Sequence, residues 1–156
     1  MALRKIRQYD DVILRKKSKT VLVIDKRTEE LIEDMLETMY NADGVGLAAP
    51  QVGILKRIVV IDVGEGPIIL INPEILASEG ESIMQEGCLS VPGVLGDVKR
   101  PEKITVEAQD VDGNKVRIEG DGLLARALFH EIDHLNGILF IDKAMRIVDS
   151  DIEEGD

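Results

Sequence analysis

The sequence is poor in cysteine and histidine, and it has no long hydrophobic segment. Its 156 residues include one cysteine, Cys88, and two histidines, His130 and His134. A single cysteine excludes an internal disulfide, and with it the class of small disulfide-stabilised secreted domains. No apolar run approaches about 20 residues, and the charged N-terminus lacks the apolar core of a signal peptide. We therefore expect a soluble cytoplasmic protein that does not enter a membrane.

Basic residues are scarce outside the first 27 positions. The chain has 19 Lys and Arg against 30 Asp and Glu, a net charge of −11. Residues 1–27 hold nine of these bases and three acids, a local charge of +6, so the remainder carries −17. An acidic body argues against membranes or a specific nucleic acid sequence as the main ligand. We interpret the basic segment as a solvated surface, with contact to ribosomal RNA as the alternative.

Both histidines lie in a predicted helix that runs from Asp121 to Gly137. Its apolar residues recur at helical spacing: Leu123, Leu124, Ala127, Leu128, Ile132 and Leu135. Asp121 is predicted to cap the start and Gly137 to end the helix. A spacing of four residues places His130 and His134 one turn apart on one face, where both can bind one metal ion, with Glu131 beside them to move protons. A surface helix that happens to carry two histidines is the alternative.

A catalytic metal site of this kind needs a third protein ligand. Phe140 stands where one metalloprotease pattern has its third histidine. The downstream glutamates Glu153 and Glu154 lie in an acidic segment, residues 149–156, that we expect to be a flexible tail. Cys88 remains, and a thiolate with two imidazoles leaves a fourth position open to water. The alternatives for this cysteine are a buried structural role or a nucleophile paired with a histidine.

A second helix is predicted from Thr28 to Asn41, where apolar residues again recur at helical spacing. A glycine-rich loop, Asp43 to Gln51, follows it, since two glycines stop the helix and Pro50 prevents its resumption. We interpret this loop as backbone that approaches a substrate, with the Gln51 amide as an oxyanion donor. The spacing of Gly44, Gly46 and Ala49 also matches a dinucleotide-binding pattern, but that pattern requires a preceding strand.

Between the two helices the sequence is rich in short β-prone runs. The predicted strands are Arg57 to Val63, Pro67 to Ile71, Ser82 to Glu86, Lys103 to Asp110 and Lys115 to Glu119, with a hairpin turn at Asp112-Gly113. The segment from Ser90 to Gly93 is predicted to be irregular. The fold class is therefore α+β: antiparallel β-sheets packed around a central metal-binding helix, with a second N-terminal helix. Without repeats or an internal boundary, we expect one catalytic domain, residues 1–156.

Three segments together resemble the signature motifs of the peptide deformylase family. They are GVGLAAPQ (Gly44 to Gln51), EGCLS (Glu86 to Ser90) and HEIDH (His130 to His134), in the same order and at similar spacing. The N-terminal QYDDVILRKKSKTV is also similar, so the likeness covers almost the whole chain. It implies removal of the formyl group from the N-terminal formyl-methionine of new polypeptides, with release of formate. A metallopeptidase and a non-catalytic metal or nucleotide binder are the alternatives.

The resemblance also implies a role for each matching residue. The metal ligands would be Cys88, His130 and His134. Glu131 would act as general acid and base. The oxyanion would accept from the Gln51 amide and the Leu89 backbone N–H, and Gly46 would bind the substrate backbone.

The metal implied by the resemblance is Fe²⁺, one per chain, for which Zn²⁺, Ni²⁺ or Co²⁺ can substitute at a site of this composition. The partners would be N-formylmethionyl nascent polypeptides, with the ribosome near its exit site as a candidate. Some relatives of the family continue into a longer basic helix, whereas this sequence ends in DSDIEEGD, so the resemblance does not imply ribosome docking through that end.

A methionine side chain requires an apolar pocket beside the predicted metal helix. The candidates to line it are Val45, Met84, Leu123 and Ala127, and the alternative for each is an ordinary core role. Glu86 and Arg100 are predicted to pair and to brace the cysteine segment. The alternative for Arg100 is a solvated side chain.

Overall fold

The structure is a computed structural model that describes residues 2–149. The predicted tail comprised residues 149–156; Asp149 instead ends the last strand, and residues 150–156 lie outside the described residues. The helices are α1 (Lys26–Asn41) and α2 (Gly122–Leu135). The strands are β1 (Gly46–Ala48), β2 (Ile58–Ile61), β3 (Ile68–Glu79), β4 (Ser82–Cys88), β5 (Val91–Arg100), β6 (Lys103–Gln109), β7 (Lys115–Asp121) and β8 (Ala144–Asp149).

The strands form two sheets whose neighbours all pair antiparallel. The first sheet has the order β1-β2-β3-β6-β7, and the second has the order β4-β5-β8. The predicted hairpin turn joins β6 to β7, and Gly113 adopts the positive φ of 84° that such a turn requires. The predicted α+β class is confirmed. Within residues 2–149 neither helix is long and apolar enough to span a bilayer.

Four strands differ from the sequence prediction. Strand β3 continues to Glu79, eight residues beyond the predicted end at Ile71, and three further strands were not predicted. The loop predicted at Asp43 to Gln51 contains β1, whose three residues pair with β2. The segment predicted to be irregular from Ser90 contains the start of β5, which pairs with β4 on one side and β8 on the other. The final strand, β8, was not predicted. Each of these strands is stabilised by its partners, and cross-strand packing outweighs the weak local propensity of glycine and proline.

Helix α1 begins two residues earlier than predicted because Asp25 caps it. The Asp25 carboxylate accepts hydrogen bonds from the Thr28 N–H at 3.0 Å and from the Thr28 hydroxyl at 2.9 Å. The apolar face of α1 buries Met35 and Met39 fully, in a cluster with residues of β1 and β2. These two methionines are therefore part of the core. The helix leads directly into the segment that carries β1.

Helix α2 lies at the centre of the fold. Its residues Leu128, Ile132 and Leu135 are buried against the first sheet, in one cluster with Val59 and Val106. The predicted cap at Asp121 is wrong in its detail, because this residue occupies the N-cap position but its side chain makes no capping hydrogen bond. The helix ends at Leu135 and Gly137 follows with a φ of 76°, the left-handed conformation for which glycine is favoured.

Phe140 closes the smaller cluster beneath the second sheet, and we expect it to be important for stability. Its ring is 1% exposed, packs with Leu14 and Val98, and stacks on the His130 ring at a centroid distance of 6.0 Å. Replacing Phe140 by Ala should lower the free energy of unfolding by about 3–5 kcal/mol, because the cavity cannot fully collapse. Denaturant titration checks this prediction. The control is Met145→Ala, which removes a side chain that is 64% exposed and should change stability little.

Candidate metal centre

Three ligand atoms from two elements converge beside α2. Cys88 ends β4, and His130 and His134 lie one turn apart on α2. The Cys88 Sγ lies 3.3 Å from the His134 Nε2, and the Nε2 atoms of the two histidines lie 3.3 Å apart. One ligand atom from each of the three residues lies within 4.8 Å of the other two. Bonds of about 2.0–2.3 Å at tetrahedral angles separate ligand atoms by about 3.3–3.6 Å. The three residues therefore fit a metal ion such as zinc or iron.

The cysteine is held in place by a tight turn between two strands. Cys88 pairs with Val91 across the β4–β5 hairpin, so only Leu89 and Ser90 form the connection. The Ser90 N–H donates to the Cys88 sulfur at 3.4 Å. This backbone donor fixes the position of the sulfur beside the two histidines.

Glu86 fixes the orientation of His130. The Nδ1 of this imidazole lies 2.9 Å from the Glu86 Oε1. Burial alone would raise the pKa of Glu86, but hydrogen bonds from His130, Arg100 and Arg126 hold it far below its usual range. The group is therefore a carboxylate, so the His130 Nδ1–H donates to it, and Nε2 is the ring atom that faces Cys88 and His134.

Two arginines neutralise this buried carboxylate. Arg100 is 3% exposed and forms a bidentate pair with Glu86, at 2.6 Å from Nε and 3.0 Å from Nη2. The predicted pairing of Glu86 with Arg100 is therefore present. Arg126 donates to Glu86 at 2.7 Å, and Arg100 also donates to Asp133 at 2.9 Å. The two arginines thus compensate the buried charge of Glu86, and the partly buried Asp133 pairs with Arg100 and, at 3.0 Å, with Lys143.

The electrostatics of the two imidazoles favour a cation between them. Burial lowers the pKa of His130, but its hydrogen bond with Cys88 and the charges of Glu131 and Glu86 raise it well above its usual value. Burial and the positive charge of His130 hold the pKa of His134 well below its usual value. The thiol and the two carboxylates that attract a proton to His130 would attract a dication in the same way.

Glu131 lies beside the ligands with one oxygen unused. Its side chain is buried, and burial raises the pKa of its carboxyl group to about 7. Within residues 2–149 its Oε1 has no hydrogen-bond partner. Gly46 makes room for it, because a Cβ at that position would lie 2.6 Å from the Glu131 Oε2. Such a carboxyl group can both accept and donate a proton near neutral pH.

Gln51 directs its amide toward the cysteine. Its Oε1 accepts from the Ala48 N–H at 2.9 Å, which leaves the NH₂ group to donate to the Ser90 hydroxyl at 3.0 Å and to the Cys88 sulfur at 3.6 Å. The side chain is 1% exposed, so its orientation is fixed by these bonds. An amide held in this way is a preorganised hydrogen-bond donor.

A cavity of about 450 Å³ opens against these residues. It is lined by most of the residues that the sequence predicts for the site: Val45, Gly46, Gln51, Glu86, Cys88, Leu89, Leu123, Ala127, His130 and Glu131. Met84 does not line it and is 38% exposed on β4. Its neighbours Gln85 and Glu86 line the cavity instead.

Three residues of the site were missed from the sequence. They are Ser90, which accepts from Gln51, and Arg126 and Asp133, which bond to Glu86 and Arg100. One signal was available for Arg126, which lies four residues before His130 and so shares its helix face. The other two contacts join residues 39 and 33 positions apart, and no local pattern marks them.

Comparison with known proteins identifies the family. A family model described as polypeptide deformylase matches residues 3–149. Peptide deformylase of Caldicellulosiruptor bescii is 62% identical over 99% of this chain and 93% of its own length, and that of Acetivibrio thermocellus is 63% identical over 97% and 89%.

Solved structures agree with these relatives. The crystal structure of peptide deformylase from Thermotoga maritima has a TM-score of 0.90 and 46% identity, covering 92% of this chain and 99% of that one. The enzyme from Synechococcus elongatus, solved with actinonin, has a TM-score of 0.88 and 48% identity, covering 90% and 78%. The family predicted from three sequence motifs is thereby confirmed, and this chain belongs to the polypeptide deformylase family.

Proposed function

We propose that this chain hydrolyses the formyl group from the N-terminal formyl-methionine of newly synthesised polypeptides and releases formate. The observation that carries the proposal is the convergence of Cys88, His130 and His134 beside Glu131, whose Oε1 has no hydrogen-bond partner among residues 2–149. One catalytic domain over residues 1–156 is part of the proposal, because α2 contacts the first sheet and bonds to β4 and β5 of the second.

Cys88, His130 and His134 would hold one metal ion, which on the family resemblance is Fe²⁺, with Zn²⁺, Ni²⁺ or Co²⁺ as substitutes. When bound, a divalent ion supplies a nucleophile by lowering the pKa of water toward neutrality, and it polarises the formyl carbonyl. The protein contributes the ligand geometry and the bond from Glu86 that orients His130.

Glu131 would move the protons. Its pKa of about 7 lets it accept a proton from water as the formyl carbon is attacked. The same carboxyl then delivers this proton to the departing amine, so that one residue serves both halves of the reaction. Its buried position keeps bulk water from exchanging that proton in between.

The negative charge that develops on the formyl oxygen needs hydrogen-bond donors. The Gln51 NH₂ group lies beside the Cys88 sulfur, and the Leu89 backbone follows Cys88 at the cavity wall. We assign these two as oxyanion donors. Removing one donor of this kind typically costs about 10²–10³ in turnover.

The cavity would take the methionine side chain, with Val45, Leu123 and Ala127 among its walls and the Gly46 backbone along the peptide. The protein would bind the nascent chain in the cytoplasm, near the ribosomal exit site. A formyl group carries a hydrogen where an acetyl group carries a methyl, so a restricted space beside the metal ligands would exclude acetylated chain ends.

Gly46→Ala should reduce kcat/KM at least about tenfold while the fold is retained. The added methyl would lie 2.6 Å from the Glu131 Oε2, so the carboxyl must shift, and a displacement of about 1 Å in a catalytic group can cost about 10²-fold. Steady-state kinetics with thermal unfolding of the same samples measures both effects. Full activity in a correctly folded variant would contradict the close packing of Gly46 and Glu131.

Formate release from formyl-Met-Ala-Ser, by protein purified anaerobically with Fe²⁺, tests the proposed reaction. Formate should appear from this peptide and no cleavage product from acetyl-Met-Ala-Ser. An internal peptide cut would indicate the metallopeptidase alternative. No formate from protein that holds one metal ion would contradict the proposal.

A further inference from the structure

Ser90 lies behind the cavity wall, next to the two proposed oxyanion donors. It is 0% exposed and belongs to the two-residue connection between β4 and β5. Gln51, Cys88 and Leu89 line the cavity, whereas Ser90 is not among its lining residues. A side chain in this position does not reach the substrate, so any effect of Ser90 on the reaction has to pass through a neighbour.

The Ser90 hydroxyl and the Ala48 N–H together fix the orientation of the Gln51 amide. The Ala48 N–H donates to the Gln51 Oε1 at 2.9 Å, which determines the end of the amide that carries the oxygen. The amide nitrogen is a donor only, so the Ser90 Oγ, 3.0 Å from the Gln51 Nε2, accepts one of its two hydrogens. The plane of the amide is thereby defined, and the second N–H is directed toward the Cys88 sulfur, 3.6 Å away.

The backbones of Gln51 and Ser90 are held next to each other independently of this side-chain bond. The N-terminal segment passes both residues: the Arg7 N–H donates to the Gln51 carbonyl at 2.7 Å, and the Tyr9 N–H donates to the Ser90 carbonyl at 2.8 Å. The Ser90 N–H also donates to the Cys88 sulfur at 3.4 Å. None of these three bonds involves the Ser90 hydroxyl, so its removal leaves them in place.

We propose that Ser90 is a positioning residue for the oxyanion donor Gln51. Its hydroxyl accepts one N–H of the amide and so directs the other N–H at the formyl oxygen. The inference rests on the proposed deformylase function. A preorganised donor raises the rate only when it points to where the negative charge develops. Because that charge is present in the transition state and not in the bound substrate, the contribution of Ser90 belongs to kcat rather than to KM.

Ser90→Ala should lower kcat for formyl-Met-Ala-Ser about tenfold, because a misdirected donor loses part of the about 10²–10³-fold that such a donor contributes. KM should change less than about twofold. Metal content should equal that of the wild type, since the backbone donor to the Cys88 sulfur is kept. The matched control is Ser18→Ala. It removes the hydroxyl of another buried serine, whose Oγ has no hydrogen-bond partner among residues 2–149, and should leave kcat unchanged.

A double-mutant cycle with Gln51→Ala separates positioning from a general structural role. If Ser90 acts through the Gln51 amide, Ser90→Ala should have no further effect on kcat once that amide is absent. A structural role would instead lower kcat by the same factor in both backgrounds. Thermal unfolding of all four proteins verifies that each is folded.

Three results would overturn the inference. Unchanged kcat in Ser90→Ala would show that the amide keeps its direction without the hydroxyl. Equal losses in the two backgrounds would show that Ser90 does not act through Gln51. Loss of metal from Ser90→Ala would show that the hydroxyl supports the cysteine instead. Failure of the deformylase function looks different, because the wild type itself would then release no formate.

Discussion

Glu131→Gln is expected to lose at least about 10³-fold in kcat while the protein still binds one metal ion. General acid–base catalysis contributes about 10²–10⁴, and here a single carboxyl is assigned both proton transfers. The substitution is nearly isosteric, so the packing against Gly46 is preserved. Burial raises the pKa of Glu131 to about 7, so this carboxyl group can accept a proton from water near neutral pH. The amide of glutamine cannot accept that proton.

The measurement is formate release under saturating substrate, with metal content determined on the same sample. Glu37→Gln on the exposed face of α1 makes the same chemical change away from the cavity and should leave kcat unaltered. Loss of both metal and activity in Glu131→Gln would indicate a structural role in the metal site. Near-normal turnover of this variant would show that another group carries out the proton transfers.

The elements with strong local patterns were the ones that sequence reasoning predicted well. Helix α2 has both a sustained apolar period and the His130–His134 spacing, and it forms within two residues of the predicted limits. Strand β5 lacks such a pattern because Pro92, Gly93 and Gly96 interrupt it. It forms because β4 and β8 supply partners on both sides, a condition that only the assembled sheet provides.

The site shows the same division between local and distant contacts. The histidines and Glu131 follow from a five-residue motif, and Cys88 follows from the need for a third ligand. The groups that orient them come from far along the chain: Arg126 reaches Glu86 across 40 positions and Gln51 reaches Ser90 across 39. Burial of these polar groups depends on the tertiary structure, so residue spacing does not predict their partners.

Cys88→Ser should weaken metal binding about 10²–10³-fold. Structural sites with four ligands bind zinc with a free energy of about 10–16 kcal/mol, so loss of one strong ligand removes a substantial share of the binding free energy. A serine hydroxyl is too weak an acid to replace the thiolate as a metal ligand. The variant would keep the two histidine Nε2 atoms, 3.3 Å apart, but would lack the thiolate ligand. Anaerobic competition of Co²⁺ against a chelator measures the affinity. The sulfur-to-cobalt absorption band should also disappear.

Met84→Ser is the matched control, because it introduces the same residue type on the same strand at a position that does not line the cavity. Its metal affinity should equal that of the wild type. If Cys88→Ser kept full metal affinity but lost activity, the thiol would act as a nucleophile rather than as a ligand. The location of the sulfur argues for ligation, since one ligand atom each from Cys88, His130 and His134 lies within 4.8 Å of the other two, as a shared ion requires.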